Sequence, residues 1–229
     1  MKASPGRSET DRPATRGEVA LARVPVTILG AGRTGSCSAL ALGMAGVRHF
    51  RIYDDDRLDP ERNLRVQLYR ASDVRRRRPK VTALPRLLRE VCPDLEVQAV
   101  AGRYPEAAHG PVGPIVVFGM DTMAARRRAA AALSRDASVG WLIDVRLGGS
   151  VAQVHSVRAR DELERYAAGL YDDGRTWGET CADSPETHVA LAAASLVVAS
   201  VHAYVNGDDF PGCVVVDVGA RPWLGTVGA

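Results

Sequence analysis

Val26-Thr27-Ile28-Leu29-Gly30-Ala31-Gly32-Arg33-Thr34-Gly35, then a run of small residues, then Phe50-Arg51-Ile52-Tyr53-Asp54, is the stretch on which the fold turns. The apolar run predicts a strand. The G-x-G-x-x-G spacing predicts a sharp turn whose bare backbone a phosphate can approach, followed by a helix packed closely on that strand. The N-terminus of such a helix offers unpaired N–H groups and a partial positive charge to an anion. Asp54 follows Gly35 by nineteen residues, at the end of the next strand, where a carboxylate accepts hydrogen bonds from ribose hydroxyls. Glycines alone would serve any tight strand–helix turn. Strand, glycines, helix and carboxylate in register predict a mononucleotide site.

The chain has 229 residues, 46% of them hydrophobic, which suits one large domain with a real core. A net charge of +3 implies neither nucleic acid nor an anionic membrane as partner. Cys37, Cys92, Cys181 and Cys213 are scattered, with no C-x-x-C pair, which argues against structural zinc and a disulfide framework and suits a reducing cytoplasm. The polar opening, clearest over residues 1–17, reads as a disordered tail and not a signal peptide. The tail is set at residues 1–20 and a single folded domain at 21–229. Val189 to Val205 is apolar nearly all round, but Ser195, Ser200, His202 and Tyr204 interrupt it, so it reads as a buried helix and not a membrane span.

Strand-like runs recur at Val24–Leu29, His49–Tyr53, Leu95–Val100, Ile115–Phe118, Trp141–Val145, Val151–Val157 and Val214–Val218. Helical patterns fill Ser36–Ala45, Lys80–Val91, Met123–Ser134, Asp161–Leu170 and His188–Val205. The early alternation predicts an α/β, Rossmann-like, doubly wound and mostly parallel sheet. Leu147-Gly148-Gly149-Ser150 between two strands is a hairpin signal, so antiparallel strands are expected in the C-terminal half.

Further along stand Asp54-Asp55-Asp56-Arg57-Leu58, Asn63-Leu64-Arg65-Val66-Gln67, Arg78-Pro79-Lys80, Gly119-Met120-Asp121-Thr122 and Thr180-Cys181. In this order and spacing the chain, from about Val24 onward, resembles the ThiF/MoeB/HesA family, relatives of the ubiquitin-activating enzymes. The resemblance implies ATP- and magnesium-dependent adenylation of the C-terminal carboxylate of a ubiquitin-like (β-grasp) or sulfur-carrier protein, or of a ribosomal peptide, by a homodimer. It implies a nucleotide site made of Gly30, Gly32, Arg33, Gly35, Asp54, Asp56, Asn63, Arg65, Lys80 and Asp121. Within it Asp54 holds the ribose, Asn63 and Lys80 contact phosphates, and Asp121 holds magnesium. Lys80, Asp121 and Cys181 are the implied catalytic residues, Cys181 as a nucleophile toward the activated carrier.

Plainer readings stand beside these. Lys80 could be a solvated first-turn residue, Asn63 a loop or cap residue, Asp121 an N-cap, and Arg75 to Arg78 a solvated basic face. Cys181 could be inert, and Cys37 and Cys213 read as packing residues. The sequence also departs from the family pattern. Arg33 stands where the second glycine of a GG pair is usual, adding bulk and charge where ATP should approach. Val66 stands at the arginine of N-L-x-R-Q, with Arg65 one place earlier. Asn is replaced by Thr122 after Asp121, and the R-Y-x-R-Q segment and zinc-binding cysteine pairs of relatives are missing. Two other functions therefore stay open: a degenerate partner subunit that organises an active enzyme, and an NAD-binding oxidoreductase. Asp144-Val145-Arg146-Leu147-Gly148-Gly149 and Tyr166–Tyr171 look like segments of some compact bacterial relatives.

Overall fold

Short apolar strands separated by helices leave little choice but a sheet covered on both faces. In the computed structural model, which describes residues 16–63, 67–108, 110–171 and 187–227, that sheet has eight strands. They are β1 (Pro25–Leu29), β2 (His49–Asp54), β3 (Glu96–Ala101), β4 (Ile115–Phe118), β5 (Trp141–Gly148), β6 (Val151–Arg158), β7 (Cys213–Asp217) and β8 (Trp223–Val227). Their order in space is β3-β2-β1-β4-β5-β6-β7-β8. The first five are parallel, and β6, β7 and β8 continue the sheet antiparallel.

The helices are α1 (Arg16–Arg23), α2 (Arg33–Ala45), α3 (Pro60–Asn63), α4 (Ala71–Arg75), α5 (Lys80–Val91), α6 (Met123–Leu133), α7 (Ala159–Ala168) and α8 (Thr187–Asn206). Side-chain alternation divides the core. Val26 and Ile28 of β1, Ile115 and Val117 of β4 and Ile143 of β5 pack with α2, α5 and α8. Leu29, Val116, Phe118 and Leu142 pack on the other face with Ala129 and Leu133 of α6 and Leu163 of α7. Central β4 is buried at every residue, which is why Ile115-Val116-Val117-Phe118 is apolar throughout rather than alternating. β1 has β2 on one side and β4 on the other, so chain order reverses between β1 and β4. At such a switch point the loops leaving the two strands diverge and open a crevice at their C-terminal ends.

The expected fold class is met, with local differences. Helix α1 begins at Arg16, inside the segment assigned to a tail over residues 1–20. Leu21, 1% exposed, joins the main core and anchors that helix. Helix α2 starts at Arg33, three residues ahead of the expected Ser36, because the end of the glycine loop already forms its first turn. β5 runs to Gly148 rather than Val145, since the ladder with β6 continues to Gly148 opposite Val151, where the hairpin turns at Gly149 with a positive φ of 55°. Strand β8 and the short helices α3 and α4 carried no signal. Trp223-Leu224-Gly225-Thr226-Val227 is a strand because β7 pairs with it, and both its faces are largely exposed. Helix α8 is long and apolar enough to cross a membrane by length and composition alone, yet Val189, Ala190, Ala193, Ala194, Val197 and Val201 are buried in the protein.

Candidate active site

The loop after β1 is built by removing side chains. Gly30 has a φ of 98°, and a Cβ there would lie 2.8 Å from the carbonyl carbon of Gly119. At Gly35 a Cβ would fall 1.9 Å from the Gly30 carbonyl oxygen, and at Gly119 it would fall 2.8 Å from the same oxygen. Three glycines thus interlock at the end of β1 and β4, where Gly30 N–H donates to Tyr53 O and Gly119 N–H to Leu29 O, each at 2.8 Å. Gly32 differs: a Cβ there would meet nothing closer than Gly119 O at 4.0 Å, so packing does not require glycine. Bare backbone at Gly32 leaves room beside an α2 N-terminus that no side chain caps. A phosphate fits that space and those amides.

Asp54, at the end of β2, ties this loop to the next segment. Its Oδ2 accepts the Ala31 N–H at 2.6 Å and its Oδ1 the Asp56 N–H at 2.8 Å. Burial pushes its carboxyl above the ordinary range, against the opposing pull of Lys80 and these two amides. Each carboxylate oxygen keeps a further lone pair for a ribose hydroxyl. Tyr69, unmarked by any motif, supports the loop from below by donating its hydroxyl to Ala31 O.

Lys80 opens α5 as the spacing predicts, but it is no solvated residue. It is 6% exposed, and its Nζ reaches Asp56 Oδ2 at 2.7 Å while its N–H donates to Asp56 O at 2.9 Å. An ammonium this buried needs an anionic partner. Asp56 supplies one, though its own side chain is 58% exposed and can be solvated when the cation turns elsewhere. Lys80 is therefore a cation beside the loop that can pass between a carboxylate and a phosphate.

Asp121 is exposed beyond β4. It is not the cap of α6: Thr122 is, its side chain accepting the Ala125 N–H at 3.2 Å. Arg103 faces this rim, paired with Asp55 at 2.8 Å. That hydrogen bond and the charge of Asp55 raise the Arg103 pKa, with smaller help from Asp56 and Asp121. Among the described residues, the carboxylates able to share one cation are Asp54, Asp55 and Asp56, whose oxygens lie within 4.8 Å of one another; Asp121 is not in that group.

Arg33, expected to add bulk and charge where ATP approaches, is 7% exposed and lies near enough to Cys37 to draw its thiol pKa down. Burial outweighs that pull and leaves the thiol at about 11, so Cys37 packs and does not react. Of the Arg75–Arg78 run the first three are exposed, and Arg78 Nε pairs with the buried Asp73 at 2.7 Å. The backbone of Asn63 ends α3, whereas its side chain, all of Arg65 and Cys181 lie outside the described residues.

A second polar centre went unassigned in the sequence. Asp144 of β5 is fully buried, and Arg126 Nε of α6 meets its Oδ1 at 2.8 Å. Arg146 Nε meets Oδ2 at 2.6 Å, and the Tyr166 hydroxyl of α7 donates to the same oxygen at 2.7 Å. Burial raises the Asp144 carboxyl, but Arg126 and Arg146 overcome it and hold the pKa below the ordinary value. Arg126 also donates to Val145 O at 3.0 Å. The sequence did hold a cue: a lone Asp in Trp141-Leu142-Ile143-Asp144-Val145, a run otherwise fit for a fully buried strand, has to find a cation.

The model of the ThiF family matches residues 11–165. A curated relative, the sulfur carrier protein ThiS adenylyltransferase of Bacillus subtilis (strain 168), is 37% identical over 81 residues. That match takes in 35% of this chain and 24% of the relative's length. Among solved structures, PaaA superposes with a TM-score of 0.67 at 18% identity, over 92% of this chain and 75% of PaaA. Escherichia coli MccB gives 0.68 at 15% identity, over 93% of this chain and 64% of MccB. MccB solved with ATP gives 0.66 at 14% identity, over 93% and 65% of the two chains.

Proposed function

The chain belongs to the ThiF family, and from that premise we propose that it uses ATP to adenylate the C-terminal carboxylate of a ubiquitin-like or sulfur-carrier protein, or of a peptide. The observation that carries this reading is the bare loop at Gly30, Gly32 and Gly35 with buried Lys80 beside Asp54 and Asp56. A relative is a ThiS adenylyltransferase, and MccB has been solved with ATP and with MccA, which supports a protein or peptide as substrate.

In the reaction a carboxylate oxygen attacks the α-phosphorus of ATP. A new acyl–O–P bond forms, the bond from the α-phosphorus to its bridging oxygen breaks, and the electron pair leaves with pyrophosphate. Two anions must meet, so positioning and charge screening do most of the work. The amides of the α2 first turn hold a phosphate, Asp54 takes the ribose, and Lys80 exchanges Asp56 for a phosphate oxygen. Asp121, an exposed oxygen donor on the same rim, suits a hard cation, with Asp54–Asp56 as the neighbouring carboxylates. Magnesium bound there would screen the leaving pyrophosphate. Asn63, Arg65 and, as nucleophile toward the activated carrier, Cys181 belong to the same reading, as do a twofold homodimer and a cytoplasmic site of action.

Calorimetry with ATP–magnesium and with NAD tests the nucleotide, and pyrophosphate exchange with candidate carriers and peptides tests the reaction. Tighter binding of ATP is expected. Stabilisation by NAD alone overturns the reading, and ATP binding without exchange favours the degenerate-partner function that Arg33 in the glycine loop suggests. Asp121→Asn is expected to suppress exchange and leave the melting temperature unchanged; an unfolded or fully active variant removes Asp121 from the site.

A further inference from the structure

The Asp144 cluster stands at the same end of the sheet as the glycine loop. β5 runs parallel to β4 with Asp144 beside Phe118, so Val145 to Gly148 project beyond the end of β4. β5 lies two strands from β1, across the switch point, roughly 10 Å away at the usual strand spacing. Arg146 is therefore on the wall of the crevice that a substrate tail would cross coming from the antiparallel half.

The charges in the cluster do not cancel. Arg126 and Arg146 share the single carboxylate of Asp144, and among the described residues neither has a second carboxylate within ion-pair distance. His155, opposite Asp144 in the β5–β6 register, adds no charge at neutral pH, since burial and then Arg146 lower its pKa to about 4. A buried centre left with one excess positive charge is one anion short of balance.

Arg146 is the member that can take that anion. Its side chain is 15% exposed, while Arg126 is 5% exposed. Nε is committed to Asp144, and one terminal nitrogen makes a long contact of 3.5 Å to the Tyr166 hydroxyl. The other, Nη1, has no acceptor among the described residues. The Tyr166 and Tyr171 rings lie 5.8 and 5.9 Å from the guanidinium carbon and hold its plane. Because the Tyr166 hydroxyl is fixed on Asp144, that ring cannot turn away. A guanidinium clamped along one edge and open along another is preorganised for a planar carboxylate.

We infer that Arg146 receives the terminal carboxylate of the tail to be adenylated, with Asp144, Arg126 and Tyr166 as positioning residues that hold its guanidinium. The inference rests on the adenylation reading and names the group that recognises the acyl substrate. A carboxylate nearing a triphosphate is repelled, and a cation on the approach lowers that barrier before Lys80 is reached.

The test uses the full chain, saturated with ATP–magnesium, and two probes differing only in the terminal group: N-acetylglycylglycine and its C-terminal amide. Arginine side-chain NMR follows Arg146 Nε, assigned by its loss in Arg146→Lys. The acid is expected to shift that signal saturably and the amide to leave it in place. Arg146→Met, checked for an unchanged circular dichroism spectrum, should bind the acid about 10- to 100-fold more weakly. Arg146→Lys, which keeps the charge but loses the fork, should fall between. An unmoved Arg146 signal, equal shifts from acid and amide, or unweakened binding by both variants would overturn the inference. Calorimetry of ATP runs in parallel. Failure of the wild type to bind ATP, with the acid still shifting Arg146, defeats the adenylation reading and leaves the carboxylate site standing.

Discussion

In the parallel half of the sheet the polar site is made of backbone, with Gly30, Gly35 and Gly119 in mutual contact and the α2 amides left uncapped. Where the parallel and antiparallel halves meet, at β5, the polar centre is made of side chains, with Arg126, Arg146 and Tyr166 converging on buried Asp144. The two solve different problems. A backbone site must admit a large anion close to the chain, so atoms are taken away. A side-chain centre must stabilise charge inside the protein, so partners are added around the buried carboxylate. The first should be intolerant of gained atoms and the second of lost ones.

The sharpest way to break that contrast is Asp144→Ala. It leaves two guanidinium groups buried with no anion, and destabilisation of about 3–5 kcal/mol is expected in urea denaturation. A loss below about 1 kcal/mol would mean the cluster is better solvated than its burial indicates. Next comes Gly35→Ala, the addition of one methyl group. With its Cβ 1.9 Å from Gly30 O, the loop must shift, and a loss near 3 kcal/mol is expected, the upper range of overpacking. Gly32→Ala is the control, since its Cβ meets nothing within ordinary contact; it should fold normally and lose ATP affinity instead.

Lys80→Met sharpens the comparison within the parallel half. Asp56 is exposed enough to be solvated without its partner, so stability should change little. ATP affinity should drop about 10- to 100-fold, the loss of one charge-assisted contact, measured by calorimetry. An unchanged affinity would take Lys80 out of the nucleotide site. The smallest effect is a pH dependence in the antiparallel half. His155 titrates near 6.5 when unfolded and at about 4 when folded. Between those values the unfolded chain binds the extra proton, so this contribution is whole above pH 6.5 and is lost as pH falls toward 4. About 1–2 kcal/mol should go over that window, reduced from the full difference because solvent partly shields the ring. His155→Gln should flatten the slope in denaturation curves at pH 7, 6, 5 and 4.

The same division explains what could be read from the sequence. Gly30, Gly32, Gly35 and Asp54 stand at spacings set by one strand, one turn and one helix, so local rules locate them, whereas Lys80, on the later helix α5, was marked only by the family resemblance. The wound sheet and the hairpin at Gly148-Gly149 were legible for the same reason. Arg126, Asp144 and Tyr166 come from α6, β5 and α7, and no spacing brings them together; the odd charge in an apolar strand and the resemblance of the Asp144–Gly149 and Tyr166–Tyr171 segments to those of compact relatives marked residues of the cluster without joining them. Tyr69 reaches Ala31 across 38 positions, beyond any pattern. Arg33 was placed on the correct loop, but local rules do not say how deeply its side chain is buried. Strand β8 exists through its pairing with β7 in a hairpin whose alternating pattern Gly225 in its middle interrupts.

Gly30, Gly35 and Gly119 carry a genetic consequence. Their contacts run from each missing Cβ to main-chain atoms of another, so no neighbouring side chain can be trimmed to make room. A lesion at any of the three should have no second-site suppressor among the residues around it. In a mutational scan the three positions, up to 89 residues apart in the chain, should behave as one locus with a single permitted allele.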